Sequence, residues 1–171
     1  LGLSNYCWNL ELGYTLIKWA KSLNPNLVVI MGGPNFPTET EDKIKFLNNR
    51  SLVDFNIESE GELGFVRVLQ KLEEYDFNAE SLKSTQENIL NCSYLYNGKM
   101  IEAKIERIKD VNELPSPYLT GTLDEFFELP LVPMVETTRG CPFSCTFCAD
   151  GLSFKNNVYS YDTQRVEKEL N

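Results

Sequence analysis

Apolar and polar residues alternate along the first part of the chain in blocks that predict strands and helices in turn. Short apolar runs occupy residues 1–7, 27–31 and 52–57, and turn-forming residues bound the second run. Residues 9–23 and 62–75 instead carry apolar side chains at the spacing of one helix face. Because parallel strands need a crossover, usually a helix, this alternation predicts a parallel sheet with helices on its faces.

Two local signals add further elements to this pattern. Thr38 and Glu41 have the spacing of a capping box, which predicts that a helix begins there. Runs at residues 92–96 and 99–103 flank an Asn-Gly pair, a strong two-residue signal for a β-hairpin.

The last third of the chain lacks this regular alternation of strand and helix patterns. Prolines punctuate residues 114–118 and 129–133, which predicts an extended linker. Residues 132–138 are predicted to form a strand that leads into a cysteine-rich loop, and residues 164–170 to form a final helix. The chain begins without a methionine or a signal-peptide pattern, so we expect it to be a segment of a longer protein.

Composition narrows the class of protein. The chain has 171 residues with a net charge of −9, which argues against a nucleic-acid partner because such partners are bound by basic patches. It contains no apolar run of about 18 residues, so no membrane span is predicted. Five cysteines, an odd number, fit the reducing cytoplasm better than a disulfide framework.

Three of these cysteines form a motif. Cys141, Cys145 and Cys148 have the spacing C-x3-C-x2-C, and Phe147 stands directly before the last of them. A short loop of this kind can point three thiolates at one spot, as iron–sulfur clusters require. A cubane of four irons held by three thiolates has one iron without a protein ligand, and that iron can bind and reduce a substrate.

Other interpretations of the cysteines fit less well. A structural zinc site normally takes four Cys or His ligands, but the chain has no histidine, and Cys7 and Cys92 lie in distant predicted strands. A bacterial ferredoxin would show C-x2-C-x2-C with a fourth cysteine before a proline. Three unrelated buried thiols are hard to reconcile with a Gly-Cys-Pro turn at such tight spacing.

The motif resembles the CxxxCxΦC signature, with Φ aromatic, of the radical S-adenosylmethionine (SAM) superfamily. Arg139-Gly140 before it and Pro142-Phe143 after it strengthen the likeness. Arg139 could interact with the negative charge of such a cluster or only with a neighbouring carboxylate such as Glu136, and the sequence favours the carboxylate.

That resemblance implies a set of cofactors. Cys141, Cys145 and Cys148 would each bind one iron of a 4Fe-4S cluster, and the fourth iron would take the amino and carboxylate groups of SAM. One electron, from a reductant such as flavodoxin or ferredoxin, would then break a C–S bond and give methionine and a 5′-deoxyadenosyl radical. Phe147 would lie beside the adenine; the alternative is that it simply packs under the loop.

The upstream half resembles the branch of this superfamily that carries a cobalamin-binding domain. Residues 4–9 hold the place of a serine-containing loop, residues 28–34 end in Gly-Gly-Pro, and residues 53–62 resemble the family's Val-Asp-x4-Gly-Glu-Gly-Glu. Residues 114–121 resemble its interdomain segment. The resemblance implies that cobalamin is bound by residues at the carboxyl ends of parallel strands, namely Ser4, Gly32, Gly33 and Gly61.

Two departures from the family pattern matter. Ser59 replaces a usual glycine, which predicts a stiffer loop. The Asp-x-His-x-x-Gly loop that can supply a cobalt ligand is absent and would lie upstream of Leu1. The SAM-binding barrel needs on the order of 200 residues, so we expect most of it to lie beyond Asn171 and the segment alone to be inactive.

The resemblance therefore implies an α/β fold: a partial doubly wound parallel sheet over residues 1–90, a hairpin and linker over 91–131, and the start of a radical SAM partial (β/α) barrel over 132–171. The function it implies is radical chemistry, such as methyl transfer, on a small-molecule or unknown substrate, with catalytic residues unassigned. Two alternatives stay open. One is a non-catalytic iron–sulfur electron-transfer or sensor protein with a vestigial corrinoid-binding fold, and the other is a zinc-stabilised binding domain.

Overall fold

The computed structural model describes residues 1–148 and 150–171 and divides them into two compact units, Leu1–Arg107 and Ile108–Asn171. The predicted alternation of strands and helices is confirmed in the first unit. Its elements are β1 (Gly2–Ser4), α1 (Leu10–Leu23), β2 (Ile30–Gly32), α2 (Thr40–Asn48), β3 (Phe55–Ile57), α3 (Gly61–Glu74), α4 (Ala79–Ser84), β4 (Cys92–Tyr96) and β5 (Lys99–Glu102).

These five strands form one sheet in the order β1-β2-β3-β4-β5. β1, β2 and β3 are parallel, as predicted, and their register sets Ser4 opposite Gly32 and Gly32 opposite Ile57. β4 and β5 run antiparallel, so the sheet is mixed rather than wholly parallel. The reason is the tight turn at Asn97-Gly98, where both residues have positive φ. A two-residue turn of this kind can join only antiparallel strands.

The two faces of the sheet bury two separate cores, since successive side chains of a strand point to opposite faces. Val29 and Met31 of the second apolar run pack with α1 and α2, whereas Ile30 between them packs with α3 and α4. The first core also contains Ile17, Leu47 and Val53, and the second contains Phe55, Ile57, Val68, Leu72, Leu82, Ile89, Cys92, Tyr94 and Ile101.

The predicted capping box of α2 is wrong. The helix begins at Thr40, and its N-cap residue Glu39 makes no side-chain capping bond. Tertiary contacts fix the start of the helix instead, because the Thr40 hydroxyl donates to Glu102 Oε1 at 2.8 Å.

One turn further along α2, a buried ion cluster joins the helix to the sheet. Lys43 Nζ lies 2.8 Å from a carboxylate oxygen of Glu58 and 2.8 Å from one of Glu102, and the Ser93 hydroxyl donates to Glu58. Burial lowers the pKa of Lys43, but its hydrogen bonds to the two carboxylates outweigh this and raise the pKa overall. The same hydrogen bond from Lys43 lowers the pKa of Glu102.

The second unit contains β6 (Thr138–Arg139), β7 (Tyr159–Ser160), α5 (Thr163–Leu170) and three single turns of 3-10 helix. The strand predicted over residues 132–138 is wrong for most of its length, because only Thr138 and Arg139 pair, with β7. Pro133 lies inside the predicted strand and removes a backbone donor that a longer ladder would need. The start of a barrel is therefore not seen among the described residues.

The predicted final helix is confirmed as α5. Arg165 attaches it to residues 111–114, since its guanidinium donates to the main-chain oxygens of Val111, Asn112 and Leu114, the last at 2.6 Å. Among the residues that the structure describes, no helix has the length and apolar character needed to cross a membrane.

Replacing Lys43 with Met should lower the free energy of unfolding by about 3 kcal/mol at pH 7, because the buried Glu58 carboxylate would lose its cation. The pKa of Glu102 is depressed by folding, so its share of this stability is present above the unfolded pKa of about 4.3 and is lost as the pH falls through the lower folded value. Urea unfolding at pH 7 and pH 3 measures both effects.

Lys45→Met is the matched control, since Lys45 is exposed and pairs with the equally exposed Asp42. It should change stability by less than about 0.5 kcal/mol. Equal losses for the two variants, or a pH-independent cost for Lys43→Met, would contradict the assignment.

Candidate cofactor sites

The carboxyl ends of the three parallel strands form the first candidate site. Ser4 ends β1 and lies opposite Gly32, which ends β2, while Gly33 follows β2 and Gly61 begins α3 beyond β3. Ser4, Gly32 and Gly33 are thus brought to one edge of the sheet. A Cβ added at Gly61 would meet no atom within 4 Å, whereas a Cβ added at Gly32 would lie 3.4 Å from Ile57.

Gly33 has a packing reason that the sequence did not reveal. A Cβ there would lie 2.6 Å from the main-chain oxygen of Asn5, and the φ of Gly33 is +134°. The close approach lets the Asn5 N–H donate to Gly32 O at 2.6 Å and Asn35 N–H donate to Asn5 O at 3.2 Å. Gly33 therefore joins the loop after β1 to the turn after β2, and a side chain would displace Asn5 before it reached any ligand.

Asn5 carries a polar group without a protein partner. Its side chain is fully buried, and Oδ1 accepts from Asn35 Nδ2 at 3.1 Å. Within the described part of the chain, Nδ2 finds no acceptor. Buried polar groups nearly always have a partner, so an amide left over at a strand end is the kind of donor that a ligand or ordered water satisfies. Sequence reasoning did not single out this residue.

The loop that follows Ser4 is held by Asn9. Asn9 Oδ1 accepts from the Tyr6 N–H at 2.8 Å, and Asn9 Nδ2 donates to Ser4 Oγ at 2.9 Å. Within the loop, the rings of Tyr6 and Trp8 stack with centroids 4.6 Å apart. The loop thus presents an ordered, largely exposed surface beside the strand ends.

The cysteine motif forms the second candidate site, on one loop after β6. Cys141 is half-buried, its N–H donates to Lys155 O at 3.2 Å, and Cys145 and Cys148 are exposed. The loop folds back on itself, because a Cβ on Gly151 would collide with the main-chain oxygen of Cys145. Ala149 lies outside the described residues.

Two expectations about this loop are corrected. Phe147 does not pack under it, since its side chain is 90% exposed. The three sulfurs were expected near a common point, yet no three Cys, Asp or Glu side chains in the described ranges lie close enough to hold a metal ion. Convergence of three thiolates costs loop entropy and charge repulsion, which metal ligation itself must offset.

The donor set still fits an iron–sulfur cluster. Three thiols outside any disulfide stand within eight residues on an accessible loop, and a cluster needs such soft ligands. Arg139, just before the loop, pairs with Glu136 at 2.7 Å. This hydrogen bond lowers the pKa of Glu136. The pair fixes the strand that leads into the motif.

No protein-family model matches the chain. The chain is, however, similar along almost its whole length to proteins that are named methyltransferases. It is 28% identical over 99% of its length to a 2-(S-pantetheinyl)-carbapenam-3-carboxylate methyltransferase of Streptantibioticus cattleyicolor, of which it covers 24%.

Two further relatives bear related names. An uncharacterized methyltransferase of Pyrococcus horikoshii is 33% identical over 92% of the chain, which covers 32% of that protein. A cobalamin-dependent radical SAM methyltransferase of Streptomyces tokunonensis is 28% identical over 99% of the chain, which covers 24% of it. The chain thus spans a quarter to a third of the length of the curated relatives it matches.

Gly33→Ala should destabilise the protein by about 1–3 kcal/mol, because it combines a collision with the Asn5 backbone and an unfavourable positive φ. Gly13→Ala is the control, since a Cβ at Gly13 meets nothing within 4 Å and alanine favours the helix. Chemical denaturation measures both changes. A Gly33→Ala protein as stable as the wild type would refute the close approach.

The cysteines should differ in reactivity. Burial raises the pKa of the Cys92 thiol well above its usual range, whereas Cys145 and Cys148 are exposed. In cluster-free protein at pH 8, iodoacetamide should therefore modify Cys145 and Cys148 at least about a hundredfold faster than Cys92. Peptide mass spectrometry follows the rates, with urea-unfolded protein as the reference. Comparable rates for all three in the folded protein would contradict the burial of Cys92.

Proposed function

We propose that this chain belongs to a radical SAM methyltransferase with a cobalamin-binding domain. One observation carries the proposal. The CxxxCxFC motif lies in a chain of which 99% is similar to part of a protein named a cobalamin-dependent radical SAM methyltransferase. Similarity to two other named methyltransferases supports methyl transfer as the outcome. The methyl acceptor would be a small molecule or another substrate of unknown class.

Cys141, Cys145 and Cys148 would hold a 4Fe-4S cluster through their thiolates. With SAM bound, that cluster supplies reductive C–S cleavage, which starts radical chemistry. Phe147, exposed beside Cys148, is available to pack against the adenine of SAM. The Glu136–Arg139 pair would hold the strand that positions the loop.

The carboxyl edge of β1, β2 and β3 would hold cobalamin. Ligands of open α/β sheets bind at this edge, and the residues there offer unused donors on Ser4 and Asn5. Gly32 and Gly61 keep the backbone near the ligand, whereas Gly33 shapes the edge through its contact with Asn5. A reductant such as flavodoxin or ferredoxin, and a cytoplasmic location, complete the proposal, because reduced clusters and free thiols persist in a reducing compartment.

Anaerobic reconstitution of the full-length protein with iron and sulfide tests the proposal. We expect about four irons per protein and a change in the EPR spectrum of the reduced cluster when SAM is added. Cys145→Ala should abolish the cluster, whereas Cys7→Ala, which removes an exposed thiol outside the motif, should retain it. A cluster that ignores SAM would indicate the electron-transfer or sensor alternative, and zinc without iron would indicate a zinc-stabilised domain.

A further inference from the structure

Asn9 departs from the usual behaviour of its position. It is the N-cap residue of α1, where asparagine normally accepts a bond from the first turn of the helix. Its side chain makes no such bond. Both ends of its amide point back to the preceding loop instead, Oδ1 to the Tyr6 N–H at 2.8 Å and Nδ2 to Ser4 Oγ at 2.9 Å. Residues that depart from a local structural preference, as Asn9 does here, are expected to occur at functional sites.

These two bonds decide which of Asn9 and Ser4 is the donor. A main-chain N–H can only donate, so the amide atom that faces Tyr6 must be the carbonyl oxygen. The NH2 end of Asn9 then faces Ser4, and Ser4 Oγ accepts. The hydroxyl hydrogen of Ser4 is therefore directed away from Asn9, and no acceptor for it is found among residues 1–148 and 150–171.

The free donor lies where a ligand would meet it. Ser4 is an exposed residue at the carboxyl end of β1, opposite Gly32 in the register. The next residue, Asn5, carries the buried Nδ2 that also has no acceptor in the described structure. Two adjacent residues thus offer unused hydrogen-bond donors at the edge where open α/β sheets bind ligands.

We propose that Asn9 is a positioning residue for cofactor binding. By donating to Ser4 Oγ, it holds the Ser4 hydroxyl as a donor toward an acceptor atom of the bound corrinoid. This inference rests on the proposed cobalamin site. It adds a residue that keeps the Ser4 hydroxyl available as a hydrogen-bond donor and does not itself contact the cofactor.

Asn9→Asp in the full-length protein separates this role from a structural one. The aspartate keeps an oxygen that accepts from the Tyr6 N–H, so the loop retains its support. It cannot donate to Ser4, whose hydroxyl will instead donate to the new carboxylate and be lost to the ligand. The loss of one hydrogen bond should raise the Kd for hydroxocobalamin about threefold to tenfold. Equilibrium dialysis with visible absorption measures this Kd.

Two variants complete the experiment. Ser4→Ala removes the same donor while residue 9 remains asparagine, so it should raise the Kd as far as Asn9→Asp does. The double variant should bind no worse than Ser4→Ala. Asn24→Asp is the matched control, because Asn24 lies at the other end of α1 and its Oδ1 accepts from the Asn26 N–H in the same way. It makes the same charge change and should leave the Kd unaltered.

The outcomes are separable. Wild-type affinity in Asn9→Asp with weakened binding in Ser4→Ala would overturn the role of Asn9. So would strictly additive losses in the double variant, or an equal loss in Asn24→Asp. If the wild-type protein itself fails to bind hydroxocobalamin, the proposed cobalamin site falls, and this inference falls with it. Thermal unfolding midpoints within a few degrees of the wild type show that each variant is folded.

Discussion

The contact between the backbones of Asn5 and Gly33 is the constraint on which the candidate edge depends. Parallel strands bring their carboxyl ends to one side, but pairing alone does not decide how close the loops that follow them lie. Here the absence of a side chain at Gly33 allows Asn5 to bond to Gly32 and Asn35 through its main chain. The loop that carries Ser4 and Asn9 is thereby fixed to the end of β2.

Further along the same carboxyl edge, beyond β3, the structure is held by a different kind of force. Lys43, between Glu58 and Glu102, ties α2 to the end of β3 and to the hairpin. A buried ion cluster is weak evidence for net stability, since desolvation opposes the attraction. Its geometry is nevertheless specific, and it fixes where α2 begins in place of a capping box. The carboxyl end of β2 is thus set by close backbone packing and the carboxyl end of β3 by charge.

Sequence patterns predicted those elements whose signal is local. The apolar run at residues 27–31 sufficed for β2, and Asn97-Gly98 sufficed for the hairpin, because burial and turn geometry act within a few residues. Thr38 failed as a cap because Thr40 and Lys43 bind partners distant in the chain. The role of Asn5 was invisible for the same reason, since its partners Gly32 and Asn35 are also distant in the chain. The candidate cysteines were evident from spacing, but the arrangement of their sulfurs depends on ligation energy that no spacing encodes.

The exposure of the cysteine loop bears on the order of events in biogenesis. Cys145 and Cys148 are accessible from solvent, whereas Cys92 is sealed in a core. A thiol in a core can meet a metal donor only before the chain folds or after it opens. A thiol on an exposed loop stays accessible after folding, so a metal donor does not have to reach it before the chain folds. On the proposed assignment of an iron–sulfur cluster, the polypeptide could therefore fold before iron and sulfide reach its three motif cysteines.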